Sequence, residues 1–178
     1  MPQITVREIL HRDIPAIINY WMNADEAFLR SMGADIHLLP NRTQWEEMLN
    51  MQLQLAYPEK LSYATIWLLN NKAVGHCNVN MIEYGKQANM HLHLWQTEFR
   101  QKGLGLAFVK RSLPLFFENL KLQTLYCEPY ALNPAPNKTL EKLGFKFEKE
   151  YITTPGSINF EQPVNRWSLT VEDFKKIL

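Results

Sequence analysis

The sequence lacks an excess of charge of either sign, because 19 Lys and Arg residues face 18 Asp and Glu residues, for a formal charge of +1. Proteins that attract nucleic acids or anionic membranes electrostatically carry a basic excess, so we expect neither as a partner. Long apolar runs are also missing, and stretches such as 66–69 are too short to span a bilayer. Arg7 and Glu8 interrupt the region where a secretory signal would need apolar residues, so we expect a cytoplasmic protein.

Cysteine is scarce as well. Cys77 and Cys127 lie in separate apolar stretches without CxxC spacing, which predicts buried thiols in a reducing compartment and no disulfide scaffold. The sequence contains no internal repeat, low-complexity tract or Gly/Ser-rich linker. With 46% hydrophobic residues in a chain of 178, it predicts one domain over residues 1–178, large enough to bury about 70% of the surface of the unfolded chain.

Hydrophobic periodicity and turn residues divide the chain into strands and helices. We predict strands at residues 4–7, 63–69, 73–81, 89–95, 125–130, 145–152 and 165–170. The second, third and fourth of these are separated by Asn70-Asn71 and by a turn that contains Gly85. Short turns of this kind join neighbouring antiparallel strands, so we expect these three strands to form a meander.

Four helices are predicted between the strands. The first has Asp13 as its N-cap and Pro15 in its first turn, and the second begins at Thr43 with Glu46 completing a capping box. Pro114 lies inside the third helix and should kink or break it, because proline cannot donate the backbone hydrogen bond. This helix is predicted from an apolar stripe at helical spacing, which comprises Leu104, Phe108, Leu113, Phe116, Phe117 and Leu120.

A short helix over 137–143, ended by Gly144, completes the predicted order. That order is a strand, two helices, three strands, a helix, a strand, a helix and two strands. It predicts an α+β fold with a mixed sheet that is flanked by helices. Trp21 and Trp45 lie at helical spacing with other apolar residues and are predicted to be core.

A glycine-containing turn joins the strand that ends near Trp95 to the third helix. Its sequence is Arg100-Gln101-Lys102-Gly103-Leu104-Gly105. Glycines allow a close approach to the backbone, and the first-turn N–H groups of a helix favour an anion such as a diphosphate. The same turn could serve only tight packing, so spacing alone leaves both interpretations open. Dinucleotide and Walker motifs are excluded, because neither GxGxxG nor GxxxxGK[ST] is present.

Two motifs in order resemble those of the GNAT superfamily of N-acetyltransferases. Arg100-x-x-Gly103-x-Gly105 is similar to the acyl-CoA pyrophosphate signature [QR]xxGx[GA], and Asn133 with the LEKLGF segment 140–145 is similar to the second motif. The opening Val6-Arg7 with Asp13, together with LEKLGF, is most similar to the branch that contains ribosomal-protein N-terminal acetyltransferases. The resemblance covers nearly the whole chain and implies the acyl-CoA acyltransferase fold, in which the fourth and fifth strands splay apart.

The resemblance implies acetyl-CoA as co-substrate, no metal, and an amine acceptor that is a small molecule or a protein N-terminus. Because dimers are common in the family, it also allows a homodimer. Main-chain groups around His93 would pair with pantetheine, Trp95 and Glu128 would lie near the mouth of the gap, and Asn133 would fix pantetheine or its loop. The residues expected to bind the co-substrate are Leu94, Trp95, Arg100, Gln101, Lys102, Gly103, Leu104, Gly105, Asn133 and Lys138.

Two groups that many relatives use in catalysis are missing. The position of a frequent Glu is Met90, and the position of a frequent Tyr acid is Leu140. The pair His91 and His93, on one face of a strand, could relay the proton of the amine, since an unperturbed imidazole has a pKa near 6.5. The same pair could instead be structural, or could bind zinc with His76, although no third ligand has convincing spacing.

Tyr130 is the alternative acid for protonating the leaving thiolate, and Cys127 is interpreted as core and not as a nucleophile. The acceptor should contact two loops, 28–39 and 153–163, whose mixed small, polar and apolar residues suit a modest amine with an apolar body. Asp35 or Glu161 could hold an ammonium group. The substrate-binding candidates are Met32, Gly33, Asp35, Glu128, Ser157 and Asn159. Two further readings stay open: an acyl-CoA-binding module without turnover, and a transferase for a larger acyl group.

Overall fold

A computed structural model describes residues 2–99 and 103–177 of the chain. Its strands are β1 Ile4–Glu8, β2 Ser62–Leu69, β3 Lys72–Glu83, β4 Gln87–Leu94, β5 Thr124–Cys127, β6 Lys146–Thr153 and β7 Gln162–Thr170. Its helices are α1 Ile14–Met22, α2 Glu26–Ser31, α3 Arg42–Gln54, α4 Leu104–Asn119, α5 Pro134–Lys142 and α6 Val171–Ile177. Within the described ranges, no helix is long and apolar enough to cross a membrane.

The seven strands form one mixed sheet in the order β1-β2-β3-β4-β5-β7-β6. Only β4 and β5 pair in parallel, and all other neighbours are antiparallel. This confirms the predicted α+β class and the meander of β2, β3 and β4. Asn70 and Asn71 both have positive φ, as the two central residues of a tight hairpin turn require.

Helices cover both faces of the sheet. Ile66 and Trp67 are neighbours in β2, yet they belong to different apolar clusters, because successive side chains of a strand point to opposite faces. On one face Trp67 stacks on Phe108 of α4, with ring centroids 5.1 Å apart. On the other face Trp21 of α1 stacks on Trp45 of α3 at 6.1 Å. The prediction that these two tryptophans are core is therefore confirmed.

Two helices were missed by the sequence analysis and two starts were wrong, because α5 begins at Pro134 and not at 137 and α3 begins before Thr43. The missed helices, α2 and α6, are 6 and 7 residues long and offer too few turns for a clear period. The capping box of α3 is formed by Asn41 and Gln44, two residues before the predicted pair of Thr43 and Glu46. Both pairs have the right spacing, and the chain uses the earlier one.

Pro114 does not break α4, which continues to Asn119. A proline removes one backbone hydrogen bond, whereas the residues around it keep α4 packed on the sheet. Leu113, Phe116 and Phe117 on either side of Pro114 are buried. Packing of this apolar face outweighs the local cost, so the expected early break was wrong.

The parallel pairing of β4 and β5 is short, and this opens the site. It covers Gln87 with Thr124, Ala88 with Leu125 and Asn89 with Tyr126, whereas β4 runs on to Leu94. Beyond Asn89 the two strands separate. The splay expected from the resemblance is therefore present, and the pairing with β5 does not extend past Asn89.

Candidate active site

The first turn of α4 forms one end of the candidate site. Gly103 is the N-cap of α4 and has a φ of +72°, a backbone conformation that favours glycine. A Cβ atom added at Gly105 would meet nothing within 4 Å. The predicted residues Arg100, Gln101 and Lys102 lie outside the described residues. The helix start therefore offers backbone N–H groups and a positive dipole end to an anion.

A cavity of about 520 Å³ extends from this turn along the splayed strands to α5. Its wall includes both glycines, Leu94, Asn133 and Lys138, all of which the sequence analysis assigned to the co-substrate. Asn133 is the N-cap of α5 and its side chain accepts a hydrogen bond from the backbone of Ala135 at 3.3 Å. The cavity therefore joins both sequence motifs in one groove.

Trp95 and Leu104 are not brought to this cavity. The backbone N–H of Trp95 donates to Val74 at 2.9 Å and its indole N–H donates to His76 at 2.7 Å. Leu104 packs against the apolar cluster under α4. Because N–H groups alternate between the two edges of a strand, the bond from Trp95 to β3 directs the backbone groups of Leu92 and Leu94 to the opposite, β5 side.

A second cavity of about 90 Å³ lies in the gap between β4 and β5. It shares Met32, Leu92, His93, Asn133 and Pro136 with the larger cavity, so the two adjoin. Its remaining wall consists of Met90, His91, Cys127, Glu128, Pro129, Tyr130, Pro155, Asn159 and Gln162. The larger cavity and this smaller one thus meet at His93.

The three histidines of β3 and β4 lie on one face of the sheet. His76 is directly opposite His93, and their rings stack with centroids 4.6 Å apart. Nδ1 of His93 lies 3.4 Å from the hydroxyl of Tyr20, and Nε2 of His91 lies 3.0 Å from Oδ1 of Asn80. Within the described part of the chain, no group of three or more His, Cys, Asp or Glu side chains is arranged to hold a metal ion.

Burial keeps these imidazoles neutral. It lowers the pKa of His91 to about 4 and that of His76 to about 3, with the neighbouring His91 adding to the effect on His76. Burial and the two other histidines lower the pKa of His93 well below its usual value. The indole of Trp95 can only donate, so Nδ1 of His76 accepts and its proton is on Nε2.

Glu128 lies at the wall of the smaller cavity in a network of its own. Its Oε1 accepts a hydrogen bond from the hydroxyl of Tyr151 and forms an ion pair with Nη1 of Arg166, both at 2.6 Å. The carboxylate raises the affinity of the guanidinium and of the phenol for their protons, so the pKa of Arg166 and that of Tyr151 are raised. Burial contributes to the shift at Tyr151 as its largest cause.

The predicted acceptor residues separate into two groups. Met32, Glu128 and Asn159 line the smaller cavity, as does Tyr130, the predicted acid. Three others do not line either cavity. Gly33 is engaged structurally, since its carbonyl accepts from Asn159 at 2.8 Å and from Gln162 at 2.7 Å. Asp35 caps a short 3-10 turn at His37, and Ser157 is exposed.

Several lining residues were not foreseen from the sequence. Tyr20 comes from α1, and Thr139 and Lys142 come from α5. Lys142 follows Lys138 by four residues and Thr139 by three, so the helical period could have placed it beside both. Tyr20 carried no signal, because its position depends on how α1 packs across the end of β4. Phe28, which also lines the cavity, lies at the start of the loop 28–39 that was predicted to contact the acceptor.

Comparisons with known proteins agree with this geometry. A family model described as an acetyltransferase (GNAT) domain matches residues 3–146. The spermidine N-acetyltransferase of Vibrio cholerae, solved with CoA and spermine, has a TM-score of 0.78 and 20% identity over 97% of this chain and 98% of that chain. A search of the curated proteins finds no match.

Two further solved structures have a similar fold. The ribosomal L7/L12 α-N-protein acetyltransferase RimL, solved with CoA, has a TM-score of 0.77 and 14% identity, covering 96% of this chain and 95% of that chain. The aminoglycoside acetyltransferase AAC(6')-Ib, also solved with CoA, has a TM-score of 0.74 and 16% identity, covering 98% of both. At these identities, the likeness establishes the fold.

Proposed function

The chain belongs to the GNAT acetyltransferase family, and from this premise we propose that it transfers an acetyl group from acetyl-CoA to a primary amine within a ternary complex. The observation that carries the proposal is the meeting of the two cavities at His93, in the gap between β4 and β5. The larger cavity would hold the co-substrate and the smaller one the reacting amine. A ternary complex fits because both compartments open to the same point.

The residues of the larger cavity fit a CoA molecule. The first turn of α4, with Gly103 and Gly105 free of side chains, would bind the diphosphate. The exposed amines of Lys138 and Lys142 on α5 line the same groove and would contribute positive charge. The β5-facing backbone groups of Leu92 would hydrogen-bond the pantetheine amides as a strand would.

Acetyl-CoA supplies the acetyl group as a thioester, which a neutral amine attacks. The residues around the smaller cavity would orient that amine and carry its proton away. His91 and His93 are neutral and therefore able to accept a hydrogen bond from the amine or from water, although burial makes each a weak base. We therefore assign them to a proton relay that does not hold a full positive charge for long. Tyr130, on the opposite wall, is the candidate for protonating the thiolate.

The proposal is tested by thiol release from acetyl-CoA with a panel of amines and N-terminal peptides. We expect release that depends on the amine, and we expect His93→Gln to lower kcat about tenfold or more while the Kd for CoA is unchanged. His11→Gln is the matched control, because His11 is exposed and lines neither cavity. Substitution of both His91 and His93 without an effect on turnover would refute the relay.

The same assay decides between the alternatives. Tight CoA binding without thiol release for any acceptor would identify a binding module that does not turn over. Rates with acetyl-, propionyl- and succinyl-CoA compare acyl groups of increasing size. We expect acetyl-CoA to be the best donor, because the compartment beyond His93 has a volume of only about 90 Å³.

A further inference from the structure

The wall of the smaller cavity contains one charged side chain, and that side chain is already held in an ion pair. Among the fourteen lining residues only Glu128 carries a formal charge. Its side chain is 7% exposed, and it is held by Arg166 and by the hydroxyl of Tyr151. Arg166 also contacts Glu148, which is more exposed and lines neither cavity. Glu128, Glu148 and Arg166 together carry a net charge of −1, and at the cavity wall the carboxylate of Glu128 is held by the guanidinium of Arg166.

Among the described residues that line the two cavities, Glu128 is the only anionic side chain. The larger cavity is lined by two lysines and no acidic residue. The residues outside the described ranges, at 1, 100–102 and 178, include no Asp or Glu. The two histidines of β4 are neutral, so they can orient an amine by accepting a hydrogen bond but supply no negative charge. An ammonium group entering this gap would lose its hydration without gaining an ion pair.

We propose that the acceptor has a single amino group on an uncharged body, and that the Arg166–Glu128 ion pair excludes diamines and polyamines. The inference rests on the proposed function and defines the substrate class of the same site. Arg166 acts through Glu128. While the guanidinium is paired with the Glu128 carboxylate, that carboxylate cannot form an ion pair with a ligand. Arg166 also lies 3.9 Å above the ring of Tyr126, which holds its guanidinium in place.

The test uses matched pairs of amines that differ by one ammonium group. Butylamine is compared with 1,4-diaminobutane, and norleucine amide is compared with lysine amide, by thiol release from acetyl-CoA at pH 8. The wild-type protein is expected to have a kcat/KM at least about tenfold higher for the singly charged member of each pair. As the pH rises toward 10.5, the second ammonium of 1,4-diaminobutane loses its proton, and its kcat/KM should approach that of butylamine.

Two variants separate the ion pair from the shape of the cavity. Arg166→Gln releases Glu128, and the preference for butylamine over 1,4-diaminobutane should fall about tenfold. In the double variant Arg166→Gln with Glu128→Gln, the unpaired carboxylate is removed as well, and the preference for butylamine should return. Arg42→Gln is the matched control, since it removes an arginine from an exposed ion pair with Glu46 on α3. Circular dichroism and thermal unfolding verify that each variant is folded.

The outcomes separate this inference from the proposed function. Equal or better turnover of the doubly charged amines by the wild-type protein overturns the inference while leaving acetyl transfer intact. Absence of thiol release with every amine overturns the proposed function itself. If Arg166→Gln does not fold, the pH dependence of the wild-type preference decides alone, and a preference that is constant from pH 8 to 10.5 contradicts the inference.

Discussion

Acid destabilisation is the most direct test of the histidine cluster. His76 is buried, with 3% of its surface exposed, and its environment lowers its pKa from 6.5 to about 3. Its ring contacts Tyr20, His93 and Trp95. In the unfolded chain, His76 takes up a proton as the pH falls through 6.5, whereas in the folded chain it stays neutral until about pH 3. Stability is therefore lost as the pH falls between these two values.

The size of the loss follows from the two pKa values. The full shift of about 3.5 units corresponds to about 5 kcal/mol, at about 1.4 kcal/mol for each unit. Between pH 7.5 and pH 5.0, the loss is about 2 kcal/mol. This second figure depends almost entirely on the pKa of His76 in the unfolded chain, because pH 5.0 lies well above the folded pKa.

The measurement is urea unfolding at pH 7.5, 6.5, 5.5 and 5.0, followed by tryptophan fluorescence. His76→Gln keeps a hydrogen-bond acceptor for the indole of Trp95 but cannot be protonated. The free energy of unfolding of this variant should fall about 2 kcal/mol less than that of the wild type over this range, whereas exposed His11→Gln should follow the wild type. Carboxylates and the other histidines contribute equally to the pH dependence of the wild type and of both variants, so their contributions cancel in the comparison. Parallel curves for the wild type and His76→Gln would refute the reasoning.

Three further predictions concern the backbone. Gly103→Asp should weaken CoA binding about tenfold or more, as measured by calorimetry, because it places a negative charge at the proposed diphosphate site. Gly85→Asp is the control, since Gly85 has a similar φ of +76° and an added Cβ would meet nothing within 4 Å. It should cause the same backbone strain and leave the affinity for CoA unchanged. Gly75→Ala should destabilise the protein by about 1–3 kcal/mol in urea unfolding, because its Cβ would lie 2.5 Å from a carbonyl oxygen of β4; an unchanged midpoint would contradict this close approach. Asn41→Ala should cost about 1 kcal/mol as the N-cap of α3, and Thr43→Ala much less, with the reverse order favouring the capping box expected from the sequence.

Strong local patterns allowed most of the fold to be predicted from the sequence. The short strand-like segments of β2, β3 and β4, together with the turn residues Asn70, Asn71 and Gly85 between them, specify a meander without reference to the rest of the chain. The apolar stripe of α4 is also local, and the break expected at Pro114 was wrong because a proline was weighed without the packing around it. Short helices such as α2 and α6 have no comparable signal, since their stability comes from docking onto other elements.

Some residues of the candidate site could likewise be identified from local sequence, and others could not. The turn at Gly103 and the Asn133 segment could be identified from sequence because their chemistry depends on consecutive residues and on a helix start. The sequence pattern could not show whether Trp95 and Asp35 contact a ligand. That depends on whether their polar groups already form hydrogen bonds with neighbouring residues in the fold. In the structure these groups contact His76, Val74 and His37.

The sequence by itself determined the glycine turn before α4, the Asn133 segment before α5 and the pair of histidines on one face of β4, because each depends on the spacing of residues along one element. Only the tertiary structure decided that His76 stacks on His93 and that Arg166 forms an ion pair with Glu128. Residues far apart in the chain meet there, and burial and charge pairing set the chemistry of a side chain more strongly than its identity does.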